Sequence, residues 1–354
     1  VKKTEYLSAR LSFGPGVRQR AWRKLAAQTN HGLNLLRAVE LLRARAEQRQ
    51  SPVRLVYAQV LESLSLGLDL GTSLTGFASP EEIMLISAGQ RSGTLPEGLQ
   101  LAAGLLTAKA AMRRAVFSAL AYPVFLFAMV GVVLAVVSIM VMPNLAALSS
   151  PSSWTGAAWA LYALTSFVAS PAGGMALAVL LGAIACGTAA LPFWTGRTRQ
   201  VADAIPPWSI YRLTVGCTWL YTLATMMRAG VQLSRILESI LDSESTTPYL
   251  RERVLAASRE FGMGKNLGEA LYDSGFDFPD NEIVDDLRVY AALPGFHLRM
   301  NELATEWMDD GVERVKRQSR VLNLFALVLI TGLVGLIAAS IGSLQTQLLQ
   351  AGGM

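Results

Sequence analysis

The chain has 354 residues, 52% hydrophobic and 16% charged, with a formal net charge of +5. Soluble domains carry about 25% charged residues, so this composition points away from an ordinary soluble globule and toward a membrane protein. The charges are also segregated: residues 115–196 and 321–354 hold no Asp, Glu, Lys or Arg at all. A charge at the centre of a bilayer costs about 2.5–3.5 kcal/mol even on lenient scales, and this segregation is the mark of an integral membrane protein.

The chain opens on VKKTEYLSARLSFGPG, which has no apolar core of the signal-peptide kind, so no secretory signal is expected. Residues 1–114 form a polar block with 16 of the 31 Lys and Arg. Within it LLRAVELLRARAEQ places apolar residues at i, i+3, i+4 and i+7, the period of an amphipathic helix. Thr29 or Asn30 is the expected cap of that helix, and the stretch from Ser65 to Leu74 reads as a glycine-broken corner. The stretch LISAGQRSGTLPEG follows, between the amphipathic PEEIMLISA and a second helix with Pro96 in its first turn. Its glycines invite comparison with a phosphate loop, but the Gly-Lys-Ser/Thr signature is missing and no strand precedes it. A helix–turn–helix corner is the better reading.

Three stretches reach the roughly 20 residues that a spanning helix needs: about 115–142, 173–196 and 321–345. Pro123 lies inside the first, and Pro143 is expected to end it. Lys109, Arg113 and Arg114 precede the first span, Arg197 and Arg199 follow the second, and Arg314, Lys316, Arg317 and Arg320 lead into the third. By the positive-inside rule, both polar blocks, 1–114 and 197–320, are expected in the cytoplasm. The uncharged segments 143–172 and 346–354 are then external. WTGAAWALYALTSFVA, Trp154 to Ala169, is apolar enough for a fourth crossing. A fourth crossing would translocate a block with 15 basic residues, so an interfacial helix or an extension of the second span is expected instead. The pairs Ala178/Gly182, Gly335/Ala339 and Ala338/Gly342 have spacings that permit close helix approach.

The two polar blocks resemble each other. GLNLLRAVELL (32–42) and GVQLSRILESI (230–240) share Gly32/Gly230, Leu35/Leu233, Arg37/Arg235 and Glu40/Glu238, and GLDLGTSL (67–74) matches GKNLGEAL (264–271). Duplication of a unit made of a helical block plus one span explains the odd number of spans, because two parallel units need a return crossing between them. The expected fold class is all-α: a polytopic membrane protein with two repeated helical-bundle domains and three transmembrane helices.

No catalytic constellation is present. Cys186 and Cys217 are read as small buried hydrophobes, and His31 and His297 are too few for a ligand set. Asp242, Glu244 and the pair Asp285/Asp286 read as a solvated acidic face, so neither metal nor cofactor is expected. Uncharged spans argue against a transport permease, and a membrane adaptor or receptor with docking domains is the nearer alternative. Arg37/Glu40 and Arg235/Glu238, each one helical turn apart, are candidate partner contacts; as plain i,i+3 ion pairs they are worth only a few tenths of a kcal/mol.

At this point the sequence resembles the F family of type II secretion systems, which includes the inner-membrane platform proteins of type IV pili. The resemblance covers about residues 20–349. It is carried by the corner Gly89-Gln90-Arg91-Ser92-Gly93-Thr94-Leu95, by Tyr122-Pro123 and Pro143, and by IPPWSIYRL at the entry to the second block. Gln90 stands where the family pattern has Glu, which puts a charge-dependent role there in doubt. ALPGFHLRMNELA in the second block lacks the Ser-Gly of the corner, a divergence similar to thin or type IVb pilus branches. The resemblance implies a non-enzymatic platform in the bacterial inner membrane with a cytoplasmic N-terminus. It implies as partners a cytoplasmic assembly ATPase, pilin or pseudopilin subunits, other inner-membrane assembly proteins, membrane lipid and further copies of itself, and no nucleic acid.

Overall fold

The computed structural model describes residues 3–148, 150–244 and 246–352. The described residues form helices and turns with no strand. They fall into two compact units: residues 1–114 with 194–312, and residues 115–193 with 313–354. The two polar blocks thus pack as one body rather than as separate bundles, which the sequence did not anticipate.

In the polar unit the first block runs α1 (Lys3–Ser12), α2 (Pro15–Asn30), α3 (Leu35–Gln48), α4 (Val53–Ser65), α5 (Leu70–Ser73) and α6 (Pro80–Arg91), then enters α7 (Leu95–Val136). Thr29 and Asn30 belong to α2, and the cap of α3 is Asn34, whose side chain accepts from the Leu36 N–H at 2.9 Å. An Asn one residue before the apolar period satisfies an orphan donor that the earlier residues cannot reach. Gly67, at φ +83°, makes the expected corner between α4 and α5.

The apolar unit takes the later part of α7, a π-helical turn at Val137–Val141 and α8 (Met142–Leu148). Pro143 therefore does not end the helical path. Proline lacks an N–H and crowds the carbonyl four residues back; the wider π turn just before it relieves that crowding, and the chain stays helical for five more residues. Ser138 in this turn donates to the Thr165 carbonyl at 2.6 Å, tying it to α9 (Ala157–Ala169). Trp154, Ala158, Leu161 and Thr165 form the buried face of this segment, and the first three join Val137 and Met142 in one core. At 1.5 Å per residue the 13 residues of α9 reach about 20 Å, well short of the roughly 30 Å hydrocarbon layer. It is a short apolar helix, not a fourth span.

α10 (Pro171–Ala190) follows after a turn capped by Ser170. Among the described residues, three helices are long and apolar enough to cross a membrane: the α7–α8 path, α10 and the later part of α17 (Phe296–Gly352). Phe117, Tyr122, Phe125 and Ile139 on the first, and Leu177 and Ile184 on the second, point outward, as lipid contact requires. Beyond Ala115, the buried residues in the apolar part of α7 are Pro123, Leu126 and Val130, one helical stripe. A Cβ at Gly182, Gly335 or Gly342 would meet nothing within 4 Å, so these small-residue positions do not mediate contacts inside the chain. The segment expected as an external tail, 346–354, continues α17 as far as Gly352, and its last two residues lie outside the described ones.

The second block contributes α11 (Arg197–Ala202), α12 (Trp208–Arg228), α13 (Leu233–Asp242), α14 (Pro248–Gly262), α15 (Leu267–Asp273), α16 (Asn281–Ala291) and the start of α17. Its order repeats that of the first block. Gly32 and Gly230 both turn at positive φ ahead of α3 and α13, and Gly67 and Gly264 do so ahead of α5 and α15.

Candidate functional site

Three arrangements in the polar unit bear on function: the glycine corner, the outward faces of α3 and α13, and the seam between the blocks. At the corner, α6 gives way to α7 through Gly93 at φ +76°. A Cβ on Gly89 would lie 2.9 Å from the Gly98 Cα, so both helices need glycine for the turn to close. Ser92 caps the end of α6 by donating to the Ala88 carbonyl at 2.9 Å, and its hydroxyl lies 2.7 Å from that of Thr94. Leu95 begins α7. No side chain here is arranged to cradle a phosphate.

Gln90 has a defined task. Its side-chain oxygen accepts from the Leu70 N–H at 2.8 Å, satisfying the first turn of α5. Asp69 caps the same helix, accepting from the Thr72 N–H at 3.1 Å and from the hydroxyls of Thr72 and Ser87. Burial would raise the Asp69 pKa, but the hydrogen bonds from Ser87 and Thr72 outweigh it and hold the carboxyl below its ordinary value. The amide oxygen at position 90 thus serves this turn as an uncharged acceptor.

The candidate partner residues lie where a partner can reach them. Arg37 and Glu40 form an exposed ion pair at 2.9 Å on α3. Arg235 and Glu238 are exposed at the matching places on α13 and make no ion pair with each other. Tyr122 is outward on α7, Pro123 is buried beside it, and Pro143 lies in α8, all three in the apolar unit. Of the acidic candidates, Asp285 meets Arg288 at 3.9 Å and Asp286 accepts from the Trp307 indole at 3.4 Å. Cys217 is buried as expected. Cys186 instead lies on the outer surface of α10, where an apolar run needs no protein cover to be stable in lipid.

The seam holds a cleft of about 210 Å³ between Glu81 and Lys109 of the first block and Thr218, Trp219 and Ser239 of the second. The Trp219 indole N–H is buried there without an acceptor. Glu81 and Lys109 pair at 3.2 Å; burial raises the Glu81 pKa, but the Lys109 charge and the Ser79 hydroxyl overcome it and hold the carboxyl low. Nearby, Gly311 of α17 lets Met112 and Cys217 approach, so that helices from both blocks meet.

Two buried charge clusters were not legible as such. Glu82 is fully buried and accepts from Arg18 at 3.1 Å and from the Trp22 indole at 2.8 Å. In the second block Asp203 lies between two buried guanidiniums, 3.1 Å from Arg199 and 2.9 Å from Arg253, and accepts from the Tyr249 hydroxyl at 2.9 Å. Arg199 faces the rings of Tyr249 and Tyr211 at 4.7 and 5.6 Å, which offsets part of the cost of burying it. Burial, reinforced by the Asp203 acceptor, pushes the Tyr249 hydroxyl pKa upward. The i,i+4 spacing of Arg199 and Asp203 was the available signal, but it looks the same for a solvated pair.

Two segments of the chain, residues 21–143 and 219–343, match the family model described as type II secretion system (T2SS), protein F. Together they cover well over half of the sequence and begin 198 residues apart, the offset of the Gly32/Gly230 repeat. The chain belongs to the type II secretion system protein F family. No curated protein matches it. Membership makes this chain an inner-membrane platform component of secretion or type IV pilus machinery, built from two family repeats and three candidate spanning helices.

Proposed function

We propose that this platform protein is non-enzymatic, that its polar unit faces the cytoplasm, and that it couples a cytoplasmic assembly ATPase to extraction of pilin or pseudopilin subunits from the membrane. The observation that carries this reading is the paired presentation of α3 and α13. Each is the second long helix of its family repeat, each exposes an Arg and a Glu one turn apart, and each repeat feeds an uncharged helix of spanning length. Cations ahead of α7's apolar part, after α10 and ahead of α17's apolar part support the cytoplasmic placement by the positive-inside rule. The outward Gly182, Gly335 and Gly342 support association with further copies or with other inner-membrane assembly proteins.

The test is capture of the cognate assembly ATPase by the detergent-solubilised chain. Charge reversal of both Arg37→Glu and Arg235→Glu is expected to reduce capture at least tenfold and to abolish fibre formation or secretion, with membrane insertion unchanged. Undiminished capture overturns the assigned surface, and intact fibres after deletion of the whole chain overturn the platform role. Reporter fusions after residues 150, 260 and 354 are expected to read outside, inside and outside.

A further inference from the structure

A second concavity lies within the first block, framed by α2, α3 and α4, with a volume of about 500 Å³. That is the size of a small-molecule site. Arg20 and Lys24 border it from α2, and Arg45 and Arg49 border it from the end of α3. Both pairs have i,i+4 spacing, which keeps the two cations of each on one helix face. No Asp or Glu lines the cleft, and none of the four makes an ion pair. The neighbouring Arg37 and Arg43, by contrast, are taken up by Glu40 and Glu47 at 2.9 and 2.8 Å.

The end of α3 accounts for a cation at Arg45, since carbonyl dipoles converge there. It does not account for Arg20 and Lys24 bordering the same space from α2. Four like charges around one concavity repel each other; solvent screens these exposed side chains in part, and no acidic side chain lines the cleft to offset the rest. Tyr57 supplies an independent observation. It borders the cleft, is only 8% exposed and packs edge-on against Phe13 at 5.8 Å. Burial pushes its pKa up to about 12 against the pull of the nearby Arg20 charge, so the hydroxyl is a neutral donor close to a guanidinium. Ser51 and Val53 bring the N-terminal end of α4 to the same space, adding positive potential.

We propose that this cleft binds a small phosphorylated anion carrying at least two negative charges, held by Arg20, Lys24, Arg45 and Arg49 with Tyr57 donating to a phosphate oxygen. Three guanidiniums favour phosphate over a single carboxylate, because their planar forks engage two phosphate oxygens at once. Two phosphate groups within reach of one cleft are offered by a soluble diphosphate and by the paired phosphodiesters of the cardiolipin headgroup. The proposal is independent of the platform reading.

The experiment uses the full chain in phosphatidylcholine nanodiscs, titrated calorimetrically with pyrophosphate and ADP. A parallel arm measures association of the detergent-solubilised chain with vesicles containing cardiolipin against vesicles of phosphatidylcholine alone. Saturable 1:1 binding of pyrophosphate or ADP establishes a soluble source. A tenfold or greater preference for cardiolipin without soluble binding establishes a headgroup source. In either case Arg45→Ala with Arg49→Ala is expected to weaken binding at least tenfold, Tyr57→Phe several-fold, and Arg43→Ala not at all, with helical circular dichroism unchanged. The proposal is overturned if neither phosphate source binds, if the Arg45/Arg49 and Tyr57 variants bind like the parent, or if only an acidic peptide such as polyglutamate is bound.

Discussion

The first repeat turns α6 into α7 through two glycines in mutual contact, a serine cap and a glutamine that reaches back to α5. The second repeat makes the same turn, from α16 into α17, with Gly295 at φ +77° and without the Ser-Gly pair. At α5 and α15 the two repeats coincide closely. Gly71 and Gly268 stand at matched positions, and a Cβ at either would collide with α6 or α16, at 2.6 Å from the Ile83 carbonyl and 2.4 Å from that of Leu287. Asp69 caps one helix and Asn266 the other. The buried charges share neither partners nor position: Arg18 and Glu82 in one repeat, Arg199, Asp203 and Arg253 in the other. What the repeats share is backbone necessity, namely positive φ, close helix approach and satisfied helix ends. What differs is how each stabilises its own core.

The strongest challenge to this contrast is removal of one buried carboxylate from each repeat. Asp203→Asn leaves Arg199 buried without a counter-charge and Arg253 with Glu252 alone, at 3.1 Å, and is expected to cost about 3–5 kcal/mol. Glu82→Gln should cost less, about 1–3 kcal/mol, because Arg18 keeps the Phe13 and Phe77 carbonyls at 2.9 and 3.2 Å. Urea unfolding of the detergent-solubilised chain measures both, and equal losses would show that the two clusters are equivalent after all.

The matched glycines come next. Gly268→Ala meets only backbone atoms, whereas the nearest atom to a Cβ at Gly71 is the Ser87 hydroxyl, which can turn away. Both are expected to destabilise by about 1–3 kcal/mol, Gly268→Ala more than Gly71→Ala in the same unfolding assay.

Acidity separates the repeats in a further way. Asp69 and Glu81 have pKa values lowered by folding. Their contribution is fully present above the ordinary carboxylate pKa of about 4 and is lost as pH falls through their lower folded values. In the second repeat Lys265, held by Asp273 at 2.7 Å and Glu260 at 2.5 Å, is raised to about 12 by those hydrogen bonds. Its contribution is complete below about 10.4 and is lost as pH rises through 12. Thermal midpoints should fall below pH 4 in the parent, and that fall should shrink in an Asp69→Asn, Glu81→Gln variant.

The smallest effect is expected at Gln90. Gln90→Leu strands the Leu70 N–H and should cost about 1 kcal/mol, while Gln90→Glu should change stability at pH 7 by less than about 0.5 kcal/mol. Faster amide exchange at Leu70 in the leucine variant alone is the local signature.

Much of the architecture was readable because it obeys simple periods. Charge-free runs marked the spans, the 3.6-residue period marked the helices, and the spaced Gly-Leu-Arg-Glu pattern marked the repeat. Pro143 misled because proline stops a regular α-helix, whereas the π turn at Val137–Val141 carries the chain past it. The burial of Arg199, Asp203 and Glu82 was hidden because sequence shows a charge but not the aromatic rings and facing helix that enclose it. The seam was invisible for a related reason, since nothing local in either block records that Trp219 will lie near Lys109.

Gln90 also sets how the corner responds to its surroundings. A carboxylate in its place would take up a proton in acid and lose an acceptor lone pair facing the Leu70 amide. The carboxamide does not ionise across the physiological range, so this contact between α5 and α6 carries no titratable charge, unlike the Asp69–Ser87 contact beside it.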